Sequence, residues 1–435
     1  MKKVLVVTYY WPPASGPGVQ RFLKFIKYFS AFDIHASVLT VENGSYPSED
    51  PTLLKDVPSE INVYKTKTIE PFKFYNFLRG KKGKSVEVGM GNIKEPDSFF
   101  KKISNYIRSN YFIPDARVGW NPYAIKRALE IIDQEDIQTV ITTGPPHSSH
   151  LIGQFIKKKY KDNLTWIADF RDPWTSIYYE KYLNRKEKAK RLNQKYEDEV
   201  LQEADHVVVV SEGMKEEFKS RALNIKVIPN GYDGDDISIG SKIDSKNFVL
   251  SYIGNFKANQ NIDTFWSALN ELSSEIPAFK ENFKLRITGN VNDEILQAIQ
   301  SNNIDELVEM ENFVPHHDAV IRMQSANLLY LPIPKSENNK SILTGKLFEY
   351  LASHTPILSL GPIDGDAADI LRTSGRKEMI DYTDIQAIKD RIIEEYNYWL
   401  ENGRQKREVE SDAYKKYERK HLTQLYASII HALND

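Results

Sequence analysis

Ser341-Ile-Leu-Thr-Gly-Lys-Leu-Phe-Glu-Tyr-Leu-Ala352 reads as a helix whose start faces an anion. Thr344 and Gly345 stand where a cap belongs, and Leu347, Phe348, Tyr350 and Leu351 supply an apolar side. Lys346 and Glu349 are three residues apart and share one face near the positive end of the helix dipole. A helix start carries amide hydrogens without intrahelical partners, so a diphosphate fits on those amides and on Lys346. Glu349, one turn deeper, is placed to accept from two sugar hydroxyls, and together these suggest a nucleotide. A solvated Lys–Glu pair on a helix surface is the alternative. His354-Thr-Pro-Ile-Leu-Ser-Leu-Gly361 follows as turn, short apolar strand and glycine. That order is what an α/β nucleotide domain places at the carboxyl edge of its sheet.

The same grammar opens the chain. A strand from Lys3 to Thr8 runs into Tyr9-Tyr-Trp-Pro-Pro-Ala-Ser-Gly-Pro-Gly18, then a helix from about Gln20 to Phe32 and a strand from Ala36 to Val41. Gly16 and Gly18 let backbone approach a ligand at the strand end, or simply make a Pro/Gly turn. The three-glycine spacing of a dinucleotide fingerprint is absent, which disfavours a dinucleotide.

Further on, a helix near Pro122 to Gln134 leads to strand Thr139 to Thr142 and then Thr143-Gly-Pro-Pro-His-Ser-Ser-His150. His147 stands at a strand's carboxyl end, where a ligand-facing histidine is expected. His150 makes a pair, but no carboxylate or third ligand accompanies it, so no metal is expected. Strand Leu164 to Ala168 gives Asp169-Phe-Arg-Asp-Pro-Trp174, in which Asp169, Arg171 and Asp172 either hold a polar substrate or bridge one another. A charged helix from about Arg185 to Ala204 reads as a solvated outer face. A polar stretch from Gly234 to Lys246 reads as an interdomain linker. Phe248 begins a second alternating set, ending in the opening stretch and a helical tail. The expectation is α/β: two Rossmann-like, doubly wound domains.

At 435 residues the chain exceeds what one core usually supports. Net charge is −2, so no global basic field argues for nucleic acid, and cysteine is absent, which excludes disulfides and fits a reducing compartment. No signal peptide and no spanning run is read, so a cytoplasmic protein is expected. Between Lys65 and Arg108, however, Lys67, Lys73, Arg79 and Lys101 interleave with Phe72, Tyr75, Phe77 and Tyr106. This texture points to an anionic membrane surface, with a single-stranded nucleic acid or a solvated insertion as alternatives. Gly80 to Gly91 in its middle reads as mobile.

Taken together, Pro12-Pro-Ala-Ser-Gly-Pro-Gly18, Thr142-Thr-Gly-Pro-Pro-His147, Ala168-Asp-Phe-Arg-Asp-Pro-Trp174, Pro229-Asn-Gly231, Tyr252-Ile-Gly-Asn-Phe256 and Gly345-Lys-Leu-Phe-Glu-Tyr-Leu-Ala352 resemble the GT-B glycosyltransferases, specifically the retaining family-4 group. The resemblance spans essentially the whole chain. It implies an acceptor-binding domain over residues 1–240, a nucleotide-sugar-binding domain over 246–412, an interdomain cleft, and a terminal helix, 413–435, packing back on the first domain. His147, Lys346 and Glu349 are then assigned to catalysis, His147 beside the transferred sugar and Glu349 on the ribose hydroxyls. Gly16, Gly18, Gly254, Asn255, Lys257, Gly289, Phe313, Val314, Ser341, Thr344 and Gly345 complete the donor side. Trp120, Asp169, Arg171 and Asp172 face the acceptor. No metal or other cofactor is implied, and the nucleotide sugar is a substrate.

Two departures stand out. Ser341 lies where the family motif has its first Glu, and Asn255 and Gln260 lie where Arg and Lys often follow the first strand of the second domain. Lys346 and Lys257 are the cations left to supply that charge. The expected activity is retaining transfer from a nucleotide-diphosphate sugar, most simply a UDP-sugar, to a glycan or lipid-linked acceptor in surface polysaccharide or glycolipid synthesis. The expected place is the cytoplasm, peripheral at the inner membrane face. A silent sugar-nucleotide-binding subunit and a UDP-sugar epimerase are the alternatives.

Overall fold

The computed structural model describes residues 1–46, 48–69, 99–237, 246–409 and 411–432. Two compact units emerge, Met1–Asn230 with Arg419–Asp435, and Gly231–Glu418. The dividing point thus falls at Asn230 and Gly231. Within the second unit, entering and leaving chain run side by side, Tyr232 N–H donating to the Tyr417 carbonyl at 3.1 Å.

The first unit is built on seven strands: β1 (Lys2–Val7), β2 (Ile34–Val41), β3 (Asn62–Thr66), β4 (Thr139–Gly144), β5 (Thr165–Phe170), β6 (His206–Val209) and β7 (Ile225–Val227). Their spatial order is β3-β2-β1-β4-β5-β6-β7, and every registered pair is parallel. Val4-Leu-Val-Val7 is fully buried because helices cover both faces, which is why that strand reads as a continuous apolar run rather than an alternation. The order reverses between β1 and β4, so the loops leaving these two strands flank the switch point where open α/β sheets take ligands.

Helix Pro17–Phe29 starts with Pro at its first position behind Gly16, which has φ 113°. It turns Phe22, Leu23, Phe25, Ile26 and Phe29 into the core. The terminal helix, Arg419–Ala432, belongs to this unit and lies on it: Tyr426 sits among Phe22, Phe25 and Phe29 with centroids 5.2–6.4 Å away.

The second unit carries β8 (Phe248–Ile253), β9 (Phe283–Thr288), β10 (Val308–Glu311), β11 (Leu328–Pro332) and β12 (Ile357–Leu360) in the order β10-β9-β8-β11-β12, again parallel. Its switch point lies between β8 and β11. Helix Gly345–Ala352 buries Leu347, Phe348, Tyr350, Leu351 and Ala352. A short turn, Ala413–Tyr417, packs Tyr417 against Phe348 at 5.2 Å before the chain returns to the first unit.

Strand β3 was not anticipated: Asn62-Val-Tyr-Lys-Thr66 is a half-exposed edge strand of mixed polarity, which carries almost no periodic signal. Most of the basic and aromatic stretch, including Lys73, Arg79, Phe72, Tyr75, Phe77 and Gly80 to Gly91, lies outside the described residues. So does most of the expected linker, 238–245. Among the described residues no helix is long and apolar enough to cross a membrane.

Candidate functional site

In the second unit the site forms at the carboxyl ends of β8, β9 and β11. Gly254 and Gly289 both take positive φ, 115° and 120°, and each is crowded. A Cβ on Gly289 would stand 2.7 Å from the Gly254 carbonyl oxygen, and one on Gly254 would stand 2.7 Å from Cε of Lys346. Only glycine lets these turns and the lysine pack together.

Lys346 Nζ donates to the Tyr252 hydroxyl at 2.6 Å and lies 3.9 Å from that ring's centroid. Tyr252 in turn donates to the Asn255 carbonyl at 2.7 Å. Burial, and after it the neighbouring Lys257, pulls the Lys346 ammonium down to about 7, with Glu349 opposing the shift. Thr344 occupies the cap position of helix Gly345–Ala352 in extended conformation, yet its hydroxyl takes no helix amide and has no partner among the described residues. The first-turn amides are therefore not satisfied by a side-chain cap.

Glu349 Oε1 accepts from His316 Nε2 at 2.9 Å, and His316 Nδ1 stands 3.8 Å from an Asp236 carboxylate oxygen. Phe313 is exposed just beyond β10, while Val314 packs partly into the core beneath helix Gly345–Ala352. Ser341 donates to the Asn338 carbonyl at 3.2 Å. Asn255 is exposed, its side-chain oxygen taking Asn290, and Lys257 is exposed as well.

Gln260 occupies a position where the family resemblance leads one to expect a cation, and the structure gives it another task. Its oxygen accepts the Lys257 amide at 3.1 Å and its nitrogen donates to the Pro332 carbonyl at 3.0 Å, tying the β8 loop to the end of β11.

In the first unit, Gly16, Gly18, His147 and Arg171 gather at the ends of β1, β4 and β5. A Cβ on Gly18 would lie 1.7 Å from an Arg171 guanidinium nitrogen, so Gly18 exists to let Arg171 across the start of helix Pro17–Phe29, where it donates to the Pro145 carbonyl. His147 and His150 crowd Gly144 in the same way, His150 Nε2 at 2.6 Å and His147 Nδ1 at 2.9 Å from its Cβ position.

His147 is buried and neither ring nitrogen makes a well-aligned hydrogen bond among the described residues. Burial, reinforced by Arg171, pulls its pKa down to about 3, and the Pro173 backbone offsets this only in part. The imidazole is thus neutral at physiological pH. His150 is also held neutral, chiefly by burial and then by His147 and Arg171. Its Nδ1 meets the Thr142 hydroxyl at 2.9 Å, the same oxygen that accepts from Trp166 Nε1 at 2.9 Å. Among the described residues no group of three or more His, Cys, Asp and Glu is arranged so that it could hold a metal ion.

Three expectations are corrected. Asp169 does not face a substrate: fully buried, it accepts two hydrogen bonds from Arg21 Nε and Nη2, the shortest 2.7 Å, and one from Thr143. Trp120 is a core residue whose indole nitrogen donates to Thr66 at 2.8 Å and whose ring meets Tyr9 edge-on. The charged helix, Glu187–Glu203, is not merely a solvated face. Its buried Glu197 accepts the Thr175 amide at 2.6 Å and pairs with Arg221 at 2.6 Å, and its Asn193 accepts from Trp174 Nε1 at 2.9 Å. Asp172 is exposed beside Arg171.

Two residues without an earlier role belong to the site. Trp174 stacks on His147, and His316 holds Glu349. Trp174 ends a motif already quoted, and His316 stands just after a strand end, but a stacking partner or a cross-loop donor leaves no periodic trace in sequence.

Residues 91–236 match the family model described as Glycosyltransferase Family 4. No curated protein matches the chain significantly in sequence. Among solved structures, sucrose-phosphate synthase from Thermosynechococcus elongatus superposes with a TM-score of 0.60 at 12% identity, covering 99% of this chain and 100% of the other. A variant of TarM from S. aureus, in complex with Fondaparinux, alpha-GlcNAc-glycerol and UDP, gives 0.59 at 13% identity and 100% of both chains. The E. coli trehalose-6-phosphate protein bound with UDP-2-fluoro glucose gives 0.60 at 9% identity and 99% of both chains. The fold is GT-B.

Proposed function

We propose that the chain is a retaining glycosyltransferase that moves a sugar from a nucleotide-diphosphate sugar, most simply a UDP-sugar, to a glycan or lipid-linked acceptor in surface polysaccharide or glycolipid synthesis. The observation that carries this reading is the start of helix Gly345–Ala352: uncapped amides, the Lys346 amine beside two tight glycines, and Glu349 one turn deeper. The Family 4 match over 91–236 and the UDP held by TarM support it.

Transfer breaks the bond between the sugar's anomeric carbon and a phosphate oxygen and forms one to an acceptor hydroxyl, whose proton ends on the departing diphosphate. Negative charge grows on that leaving group. Amides at a helix start and Lys346 are suited to receive it without reorganising. Glu349 accepts from the ribose hydroxyls. His147, neutral and buried, adds no second charge beside the transferred sugar. Arg171 and Asp172 lie on the acceptor side.

The test is calorimetric binding of UDP, GDP and ADP, followed by assay of sugar conjugates of the tightest one for release of free diphosphate. Saturable binding with sugar-dependent release supports transfer. Binding without release, even with lipid extract added, points to a silent subunit, and isomerised donor without acceptor points to an epimerase. His147→Ala is expected to lower transfer and leave nucleotide affinity nearly unchanged. Full transfer in both His147→Ala and Glu349→Ala would put the site elsewhere.

A further inference from the structure

Helix Phe99–Tyr111 is fastened to the first unit by polar groups and presents apolar ones outward. Ser109 is buried, and its carbonyl takes Arg185 Nη1 at 2.8 Å, while Arg185 Nη2 reaches the Pro114 carbonyl at 2.6 Å. Asn110 accepts the Lys186 amide at 2.6 Å. On the outer side Tyr106, Ile107 and Tyr111, with Tyr182 of the adjoining turn Glu180–Leu183, are 40–73% exposed. Single exposed apolar side chains need no explanation, but four on neighbouring segments form a patch.

The charge around this patch is mostly positive. Lys186 lies 5.1 Å over the Tyr106 ring and Lys181 lies 5.5 Å over Tyr182. Lys188, Lys190 and Arg191 are exposed on the same stretch, against which the exposed carboxylate is Glu187, paired with Arg191 at 3.1 Å. Aromatic rings with cations above them, flanking an isoleucine, match the headgroup boundary of an anionic bilayer: rings and aliphatic groups enter the interface while the ammonium groups meet phosphate.

We propose that the face formed by Tyr106, Ile107, Tyr111 and Tyr182, with Lys181 and Lys186, docks the first unit onto an anionic lipid surface. The site is built on one unit and does not rest on the sugar-transfer reading. It would nevertheless bring a glycosyltransferase to lipid-linked acceptors.

The experiment is co-sedimentation of the full chain with vesicles of phosphatidylcholine alone or with one third phosphatidylglycerol. Binding is expected only to the mixed vesicles and should weaken with salt. Each of Lys181→Gln and Lys186→Gln should lower partitioning about 5-fold. Ile107→Ser with Tyr111→Ser should lower it at least 10-fold at unchanged melting temperature, which separates lost docking from lost folding. Equal binding to neutral vesicles would overturn the proposal, as would variants that sediment like the parent. A dimer that these variants dissociate, or a single-stranded oligonucleotide that displaces the vesicles, would assign the face to another partner and overturn it too.

Discussion

The indole of Trp174 lies flat on the imidazole of His147, ring centroids 4.9 Å apart and planes within 7°. The far edge of that indole donates to Asn193 on helix Glu187–Glu203, so a helix that reads as a solvated surface fixes the plane of the histidine through one intermediate ring. With no well-aligned hydrogen bond on either nitrogen, the histidine owes its orientation to stacking and to the wall at Gly144. Stacking sets the ring plane without engaging either ring nitrogen.

Trp174→Phe keeps an aromatic face but removes the indole N–H and leaves the Asn193 oxygen buried without its donor. The expected cost is about 1–3 kcal/mol of stability. Transfer should drop in kcat by about 10-fold, the effect of a loosely held reacting group, while the Kd for UDP stays unchanged. Chemical denaturation, steady-state kinetics and calorimetry on the same preparation check the three parts. An unchanged kcat would reduce the stack to packing.

Acid sensitivity follows from the two buried histidines. Both have folded pKa values below the ordinary one of about 6.5, His147 at about 3 and His150 well depressed, each chiefly through burial. Below the ordinary pKa the unfolded chain takes protons that the folded chain refuses, so stability is full above that pH and falls as the solution is acidified toward the folded value. Each histidine contributes up to about 1.4 kcal/mol per pH unit in that window. His150→Phe should make the urea midpoint fall less between pH 7 and pH 5 than it does in the parent.

Asp169 and Arg21 form a pair that is fully buried on both sides. Removing the carboxylate in Asp169→Ala strands a guanidinium in the core, at a cost of about 3–5 kcal/mol. Arg21 also reaches the Pro229 carbonyl at 3.0 Å, the last turn before the second unit begins, so the loss should unsettle that connection as well. A urea midpoint within error of the parent would show that water reaches the arginine.

What repeats in this chain is legible in its sequence, and what does not repeat is not. β8 and β11 are legible to the residue, because Phe248–Ile253 is apolar but for Ser251 and lies between Asn247 and Gly254, and Leu328–Pro332 is an apolar run that follows Asn327. Edge strand β3 was lost because half its side chains face water. Gly18 reads in sequence as room for a ligand, whereas in the structure it makes room for Arg171, a residue of a distant strand end. Asp169 misled because a strand-end carboxylate looks alike in sequence whether it meets solvent or Arg21, a partner 148 residues away. Trp120 misled likewise: nothing local distinguishes an indole that faces a ligand from one that donates to Thr66.

Lys346 should make nucleotide binding depend on pH and on proton uptake. With its amine lowered to about 7 by burial beside Lys257, much of it is neutral just above that pH, and a bound diphosphate favours the charged form. UDP affinity is therefore expected to weaken as pH rises from 7 to 9. Titrations in buffers of different ionisation enthalpy should show uptake of a fraction of a proton at pH 8. Lys346→Met should abolish the uptake and weaken UDP by about 10- to 100-fold, the loss of one charge-assisted contact. No uptake in the parent would mean that the amine is already charged against Tyr252.

Glu349 and His316 make the sharpest test of where the ribose goes. The carboxylate keeps one oxygen on His316 Nε2 at 2.9 Å, which fixes its plane and directs the other oxygen away from the histidine. If ribose hydroxyls are its partners, the parent should bind UDP more tightly than 2′-deoxy-UDP, by about 10-fold for one hydrogen bond to a charged acceptor. Glu349→Ala should bind both weakly and equally, since the discriminating acceptor is gone. His316→Ala should retain part of the preference, because the carboxylate is present but less well held. Discrimination that survives in Glu349→Ala would take the ribose away from this helix, and with it the assignment of the diphosphate to its start.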